Sequence, residues 1–283
     1  MKERLKELRK KANKIRKLII EMVSLAGSGH PGGSLSSVEI ITCLFFEVMR
    51  HDPKNPTWPD RDRFHLSKGH TCPALYAALA LCGYFSESEL WSLRKLGSIL
   101  QGHPDRHTPG VDVASGSLGQ GLSVAVGMAL AARLDKKDYR VYCLMGDGEI
   151  QEGNIWEAAM SAAHFKLDNL CGIVDYNRFQ IDGRVEDIMN LEPLVSKWEA
   201  FGWHTIQCDG HNIEELLDAF SEANSVKSKP TVIIAHTVKG KGVSFMEHVV
   251  DFHGRTPNKK ETEIALEELN KIEKLLEEAD DEF

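Results

Sequence analysis

The sequence has no long apolar run, and nothing in its 283 residues approaches the roughly twenty consecutive apolar residues of a membrane span. The N-terminal stretch MKERLKELRKKANKIRKLII is basic but has no uninterrupted apolar core and no cleavage site, so we do not interpret it as a secretory signal. Apolar residues recur on one helical face, which predicts an amphipathic helix over about residues 1–24. We expect a cytoplasmic protein without a membrane partner. A membrane-surface role for this basic helix is the less favoured alternative.

The sequence also lacks paired cysteines. Its six cysteines (43, 72, 82, 143, 171 and 208) are scattered without any CxxC spacing and lie mostly in apolar segments. This distribution argues against a zinc site or a disulfide framework and favours reduced core residues. Internal repeats and low-complexity linkers are missing as well, which is consistent with one domain over residues 1–283.

Positive charge is in deficit. Lys and Arg number 34 against 42 for Asp and Glu, which gives a net charge of -8. No basic stripe with interleaved aromatic residues is present, so we expect no nucleic-acid partner.

What the sequence does contain is an alternation of short apolar strands and helices. Strands are predicted at 63–66, 139–145, 170–175, 204–208 and 230–236, and helices at 37–49, 73–82, 86–96, 121–133, 153–165, 194–201, 213–224 and 260–280. The stretch 25–36 is too rich in glycine and serine for regular structure, and Ser36 with Glu39 is expected to form a capping box. The pattern predicts an α/β fold with a doubly wound, mostly parallel sheet and helices on both faces.

The stretch from Leu144 to Gly183 carries the most specific pattern. One predicted strand stops at Gly146-Asp147-Gly148, a helix follows, and the next strand ends just before Asn177. Because the carboxyl ends of parallel strands meet at one edge, Asp147 and Asn177 are expected to face one crevice. Their oxygens suit magnesium, which takes its other ligands from phosphates and water, and the main-chain carbonyl of Phe179 is a third candidate ligand. The alternative is a tight turn beside an unrelated loop asparagine.

GDGEIQEGNIWEAAMSAAHFKLDNL, followed by Asn177, resembles the thiamine-diphosphate motif of the transketolase family. Further stretches that resemble this family are SGHPGGSLS (28–36), RFHLSKGHTCPALYA (63–77), QGHPDRHTPGVDVASGSLGQGLSVAVGMA (101–129) and TVKGKGVSFMEHVVDFHG (237–254). The resemblance implies transfer of a two-carbon ketol unit from a ketose phosphate to an aldose phosphate, as in the pentose phosphate pathway. It implies thiamine diphosphate and Mg²⁺ as cofactors, with Ca²⁺ or Mn²⁺ as possible substitutes.

The resemblance also assigns the residues of the site. It implies that four histidines act as donors and proton carriers around the sugar, a task that suits imidazole near neutral pH: His30, His70, His103 and His253. The residues expected to contact the cofactor are His70, Gly116, Ser117, Leu118, Gly148, Glu152, Asn177, Lys239 and His253. The metal ligands are Asp147, Asn177 and Phe179.

Some of these residues have alternative interpretations. Without the resemblance, the Gly116–Leu118 stretch fits tight helix packing as well as contact with a cofactor. Glu152 is expected in a network of acids near a subunit contact, or else as an exposed glutamate at a helix start. For Lys68, the sequence leaves a phosphate ligand and a surface residue equally open.

The chain has the length of the diphosphate-binding half of a transketolase only. The resemblance therefore implies the N-terminal subunit of a split enzyme, with sugar phosphates as substrates. We expect a separate C-terminal subunit to supply the pyrimidine-binding domain and its glutamate, in an α2β2 heterotetramer. The alternatives are a half-subunit of a related thiamine-diphosphate enzyme, of the deoxyxylulose-phosphate-synthase type or specialised for an unusual sugar, and a cofactor-binding module without catalysis.

Overall fold

A computed structural model of the protein describes residues 2–278. Within them the α-helices are α1 (Lys2–Ala26), α2 (Pro31–Ser36), α3 (Val38–Cys43), α4 (Cys72–Cys82), α5 (Gly121–Leu134), α6 (Gly153–His164), α7 (Val185–Ile188), α8 (Leu194–Ala200), α9 (Ile213–Ser225) and α10 (Lys259–Glu278). The strands are β1 (Arg63–Leu66), β2 (Val141–Gly146), β3 (Leu170–Tyr176), β4 (Phe179–Gln180), β5 (Gly183–Arg184), β6 (His204–Asp209) and β7 (Thr231–His236). Residue 1 of the predicted N-terminal helix and residues 279–280 of the predicted C-terminal helix lie outside the described residues.

Five strands form one parallel sheet in the order β1-β2-β3-β7-β6. The short strands β4 and β5 form a separate antiparallel hairpin. Alternate side chains of each central strand enter different cores, because successive residues of a strand point to opposite faces. On β2, Tyr142 and Leu144 pack among residues of α1, α3, α4 and α9, whereas Cys143 and Met145 pack among residues of α5, α6 and α8. The predicted parallel α/β sheet with helices on both faces is confirmed.

Local sequence signals set several of the helix ends. Pro73 lies in the first turn of α4, and Gly83 closes that helix with a left-handed backbone (φ 92°). Asn212 caps α9, since its side-chain oxygen accepts from the backbone N–H groups of Glu214 and Glu215. His211 directly precedes this cap.

Three local predictions were wrong. Residues 31–36 form helix α2, which starts at Pro31, and Ser34 Oγ donates to the carbonyl of His30 (2.7 Å) in its first turn. The predicted helix at 86–96 is a short 3₁₀ helix, Glu87–Ser92. The capping box does not form, because Ser36 donates to Asp175 and the carboxylate of Glu39 accepts from Arg16.

The parallel arrangement brings the ends of β2 and β3 together. Gly146 at the end of β2 pairs in register with Asp175 near the end of β3, and Tyr176 of β3 pairs with His236 at the end of β7. The turn that carries Asp147 therefore lies beside the segment 177–179 and beside the loop that follows β7.

All six cysteines lie within residues 2–278 and are free thiols, as predicted.

Candidate active site

A cavity of about 360 Å³ opens at this carboxyl edge of the sheet. Its lining includes most of the residues singled out from the sequence: His70, His103, Gly116, Leu118, Asp147, Gly148, Glu152, Asn177, Phe179, Lys239 and His253. Of the predicted site residues, Ser117 and His30 do not line it. Ser117 is exposed, and the His30 ring lies directly behind the His70 and His253 rings.

Asp147, Asn177 and Phe179 converge at one end of the cavity. The Asp147 carboxylate is buried and accepts hydrogen bonds from the backbone N–H groups of Gly148 and Arg178. The side chain of Asn177 is oriented from both sides, because Nδ2 donates to Asp175 (3.1 Å) and Oδ1 accepts from the backbone N–H of Phe179 (3.1 Å). The geometry therefore gathers a carboxylate, a carboxamide oxygen and a main-chain carbonyl.

A cation fits this group of oxygens. The ammonium of Lys239 already lies there and donates to the carbonyl oxygen of Phe179 (3.3 Å). Burial, and then the nearby charge of Asp175, raise the pKa of Asp147 to about 7, so its carboxylate lacks a full counter-charge. Hard oxygen ligands that keep lone pairs free are the donor set that magnesium takes in proteins. Within residues 2–278, no cluster of three or more His, Cys, Asp or Glu side chains offers a different kind of metal site.

Lys239 also connects the group of oxygens around Asp147 to the histidines. Its Nζ lies 2.8 Å from Nδ1 of His253. Burial lowers the pKa of Lys239 to about 8, an effect that the carboxylate of Asp147 opposes. The lysine thus places a cationic donor between the oxygen group and the imidazoles, where an anionic group such as a diphosphate is favoured.

Three of the four predicted histidines form a compact cluster. The ring of His30 meets His70 and His253 edge-on, at centroid distances of 5.1 and 5.5 Å, and the rings of His70 and His253 stack at 5.2 Å. Nδ1 of His30 is buried and has no hydrogen-bond partner within residues 2–278. A buried ring nitrogen without a partner is costly unless a ligand supplies one. A ligand that reaches past His70 and His253 to the His30 ring would supply the missing partner.

Burial keeps these imidazoles neutral. It lowers the pKa of His30 to about 4, with Arg94 adding to the effect, and lowers the pKa of His253 to about 3, with Lys239 adding to it. Burial, followed by the charge of Lys68, also lowers the pKa of His70 well below its ordinary value. Because a neutral imidazole has one donor and one acceptor nitrogen, each ring is able to donate one hydrogen bond and to accept another.

The fourth histidine lies on the loop that precedes α5. His103 is exposed and packs beside Gly116, where a Cβ atom would lie 3.1 Å from its ring. Burial and the charge of Arg94 lower its pKa. Leu118 lines the cavity with 40% of its surface exposed, so an apolar side chain is available to a ligand there.

Glu149 holds this loop against the sheet, a role that was not predicted. Its buried carboxylate accepts from Ser67 Oγ, from the backbone N–H of Gly119 (3.0 Å) and from that of Gly146 (3.0 Å). The contact with Gly119 cannot be predicted from a single sequence, because Glu149 and Gly119 lie 30 positions apart. Glu152, which was predicted, packs beside Gly119 at the cavity rim with an exposed side chain.

Lys68 does not lie on the surface, and its ammonium group has hydrogen-bond partners. Its side chain is buried, and Nζ donates to Asp175, to Ser37 Oγ (3.0 Å) and to the carbonyl of Gly33 (3.1 Å). Asp175 also accepts from Ser36, Thr237 and Asn177. The network fastens α2, β1 and the loop after β7 beneath the cavity. The surface interpretation of Lys68 is therefore wrong.

None of the helices within the described residues combines the length and apolar character needed to cross a bilayer.

A family model described as "Transketolase, thiamine diphosphate binding domain" matches residues 8–271. The 6-deoxy-6-sulfo-D-fructose transketolase subunit SqwG of Clostridium sp. (strain MSTE9) is 48% identical over 96% of this chain and 99% of its own length. An apulose-4-phosphate transketolase subunit of Phocaeicola vulgatus is 46% identical over 93% of this chain and 94% of its own length.

Longer proteins match as well. Human transketolase is 45% identical over 94% of this chain, which spans only 42% of that relative. The crystal structure of transketolase from Campylobacter jejuni superposes with a TM-score of 0.88 at 38% identity, over 93% of this chain and 42% of the other. The chain thus spans less than half of these longer relatives and almost all of the two subunits.

Proposed function

Because this chain belongs to the transketolase family and matches that family's thiamine-diphosphate-binding domain, we propose that it is the diphosphate-binding subunit of a split transketolase. The proposed reaction transfers a two-carbon ketol unit from a ketose phosphate to an aldose phosphate. The observation that carries the proposal is the convergence of Asp147, Asn177, Phe179 and Lys239 with the neutral rings of His70 and His253 in one cavity. We propose a single domain over residues 1–283 and a cytoplasmic location.

The metal end of the cavity fits Mg²⁺ bound to a diphosphate. We propose that the Asp147 carboxylate, Asn177 Oδ1 and the carbonyl of Phe179 hold the ion, and that Lys239 and the backbone around Gly148 face the diphosphate. Asp175 and the N–H of Phe179 keep the Asn177 oxygen in the orientation that ligation requires. Gly116, Ser117, Leu118 and Glu152 are the remaining proposed cofactor contacts. Thiamine diphosphate, when bound, supplies the carbon nucleophile that the protein itself lacks.

The chain's own contribution to the chemistry is the handling of protons. His30, His70, His103 and His253 are the proposed donors and acceptors to the sugar hydroxyl and carbonyl groups. The low pKa values of His30 and His253 leave both rings neutral at pH 7, so each has one nitrogen that donates a hydrogen bond and one that accepts. The orphaned Nδ1 of His30 would gain a partner from such a ligand.

The proposed partner is a separate C-terminal subunit that supplies the pyrimidine-binding domain and its glutamate. The names of the two subunit relatives support this proposal, and α2β2 is the proposed assembly. We expect the isolated chain to bind the cofactor and to show little or no turnover. Robust ketol transfer by the chain alone would contradict the split-enzyme proposal.

Calorimetry of the full chain with thiamine diphosphate and MgCl₂ tests the cofactor site. We expect Asp147→Ala to abolish magnesium-dependent binding while circular dichroism shows an unchanged fold. Asp182→Asn is the matched control, because Asp182 lies at the exposed rim of the same cavity and is no proposed ligand. Unchanged affinity in Asp147→Ala would refute the metal assignment. Repeating the titration with Ca²⁺ and Mn²⁺ tests the proposed substitutes.

The names of the two subunit relatives favour a second class of substrates, unusual sugars. The two subunit relatives are named for a sulfonated sugar and for apulose 4-phosphate, which supports a transketolase specialised for an unusual sugar as the alternative. Ketol transfer by the chain co-expressed with its partner, measured with common ketose phosphates and with these sugars in parallel, separates the two. Activity only with pyruvate as donor would indicate the deoxyxylulose-phosphate-synthase type, and cofactor binding without turnover a non-catalytic module.

A further inference from the structure

Glu39 of α3 is a buried carboxylate that does not line the cavity. Its surface is 6% exposed. Oε1 accepts from Arg16 Nη2 (2.5 Å), and Oε2 lies 2.9 Å from His211 Nδ1. Burial alone would raise the pKa of Glu39, but the charge of Arg16 and the hydrogen bond from His211 outweigh it and hold the pKa below its ordinary value. Glu39 is therefore an ionised acceptor inside the protein.

Both partners of Glu39 reach the loop that carries Lys239. His211 Nε2 lies 2.8 Å from the backbone N of Val238, on one side of the lysine. Arg16 Nε donates to the carbonyl of Lys241 (3.0 Å), on the other side. One carboxylate thus controls two groups that hold the backbone before and after Lys239.

The direction of these hydrogen bonds is fixed. The backbone N–H of Val238 can only donate, so His211 Nε2 must accept and carries no proton. The proton of the neutral ring then lies on Nδ1, which donates to Glu39. The ring keeps this tautomer only while its neighbour is an acceptor, and a carboxylate accepts on both oxygens.

We infer that Glu39 is a positioning residue for Lys239, acting through Arg16 and His211 on the backbone of the 238–241 loop. The inference rests on the proposed function, in which Lys239 faces the diphosphate. In the folded protein the loop places the lysine ammonium between the carbonyl of Phe179 and the His253 ring. Glu39 contacts neither of them, and its effect is on where that ammonium lies.

Glu39→Gln is the sharpest test, because it changes one oxygen to an NH₂ group at nearly constant volume. If the new NH₂ group faces His211, the ring must accept on Nδ1 and donate from Nε2, which sets it against the N–H of Val238. If the NH₂ group faces Arg16, two donors meet and the hold on the carbonyl of Lys241 weakens. Either orientation loosens one side of the loop.

We expect Glu39→Gln to weaken thiamine diphosphate binding ~10-fold in calorimetry of the full chain with MgCl₂, the loss of about one buried hydrogen bond. Glu222→Gln is the matched control, because it removes the surface pair between His204 and Glu222 (2.6 Å) and should leave the affinity unchanged. If the wild type and Glu39→Gln bind thiamine diphosphate with the same affinity, the inference is overturned and the proposed function is not. Absence of binding by the wild type would instead contradict the proposed function.

The tautomer of His211 is a second readout, which needs no activity and can be measured first on the wild-type chain. In two-bond ¹H–¹⁵N spectra of the wild-type chain, we expect the His211 ring to carry its proton on Nδ1, and in Glu39→Gln we expect that signal to shift or broaden. A carboxylate that only stabilises the fold would change the thermal stability and leave the affinity for thiamine diphosphate in place. A wild-type His211 protonated on Nε2 would overturn the inference even if Glu39→Gln fails to fold.

Discussion

Lys68 and Asp175 form an ion pair in which the two side chains are 2% and 0% exposed. Burial alone would raise the pKa of Asp175, but the charge of Lys68 and the hydrogen bonds from Lys68, Ser36 and Thr237 together outweigh burial and lower the pKa. The hydroxyl groups of Ser36 and Thr237 and the amide of Asn177 also donate to the carboxylate. The pair therefore joins the end of β1 to the end of β3 directly beneath the cavity.

Removing one member of this pair should be costly. We expect Lys68→Met to lower the free energy of unfolding by about 3–5 kcal/mol, since it leaves the Asp175 charge buried without a partner. Urea denaturation of the full chain measures this loss. The double variant Lys68→Met/Asp175→Asn should recover part of the loss, because neither charge remains. Fully additive losses in the double-mutant cycle would show that the two residues do not act as a pair.

The contrast between Asp147 and Lys68 shows what the sequence makes predictable. Asp147 and Asn177 each follow an apolar strand, and the parallel βαβ arrangement alone brings their strand ends to one edge. The partner of Lys68 is 107 positions away, and nothing in the local pattern selects it. Strands and strand ends are local properties, whereas the pairing of buried charges is a property of the folded chain.

Helix α2 and Glu39 illustrate the same limit. Glycine and serine favour irregular backbone, and residues 31–36 form a helix because serine hydroxyls bond its carbonyls and Asp175 accepts from Ser36. Ser36 and Glu39 have the spacing of a capping box, yet tertiary partners compete for both side chains. Local propensity is overridden where a stronger long-range partner exists.

Two glycines of α5 should respond oppositely to alanine. A Cβ atom at Gly121 would lie 2.1 Å from Oγ and 2.4 Å from Cβ of Ser67, whereas one at Gly127 would meet nothing within 4 Å. We expect Gly121→Ala to lower the free energy of unfolding by about 1–3 kcal/mol through overpacking. Gly127→Ala should raise it by about 0.5–1 kcal/mol, because alanine favours a helix interior more than glycine. Thermal unfolding that shows the same sign for both would contradict the close contact at Ser67.

Glu149 should matter both for stability and for the cofactor. In Glu149→Gln, the amide NH₂ must face one of the backbone donors of Gly119 or Gly146, which costs about 1–3 kcal/mol for an unsatisfied buried group. The displaced loop should also weaken thiamine diphosphate binding, measured by calorimetry. Glu186→Gln, which breaks the exposed pair with Arg184, is the control and should change neither quantity appreciably. Equal effects of the two variants would show that the buried carboxylate does not anchor the loop.

His30 should make the stability of the chain depend on pH. Its pKa is about 4 in the folded chain and about 6.5 when unfolded, so the unfolded state binds the proton more readily. The stability that the neutral ring contributes is therefore complete above pH 6.5 and is lost as the pH falls through about 4. Allowing for partial exposure of the ring, we expect this loss to be roughly 2 kcal/mol.

The variant His30→Gln isolates this contribution, because glutamine does not titrate in this range. Urea denaturation of both proteins at pH values from about 7.5 to about 4.5 gives the difference in their free energies of unfolding. We expect the wild type to lose stability relative to the variant as the pH falls, most of it below about pH 6.5. A difference that stays constant over the range would mean that the His30 ring takes up its proton equally well in both states, and a neutral imidazole behind His70 and His253 would then be ruled out.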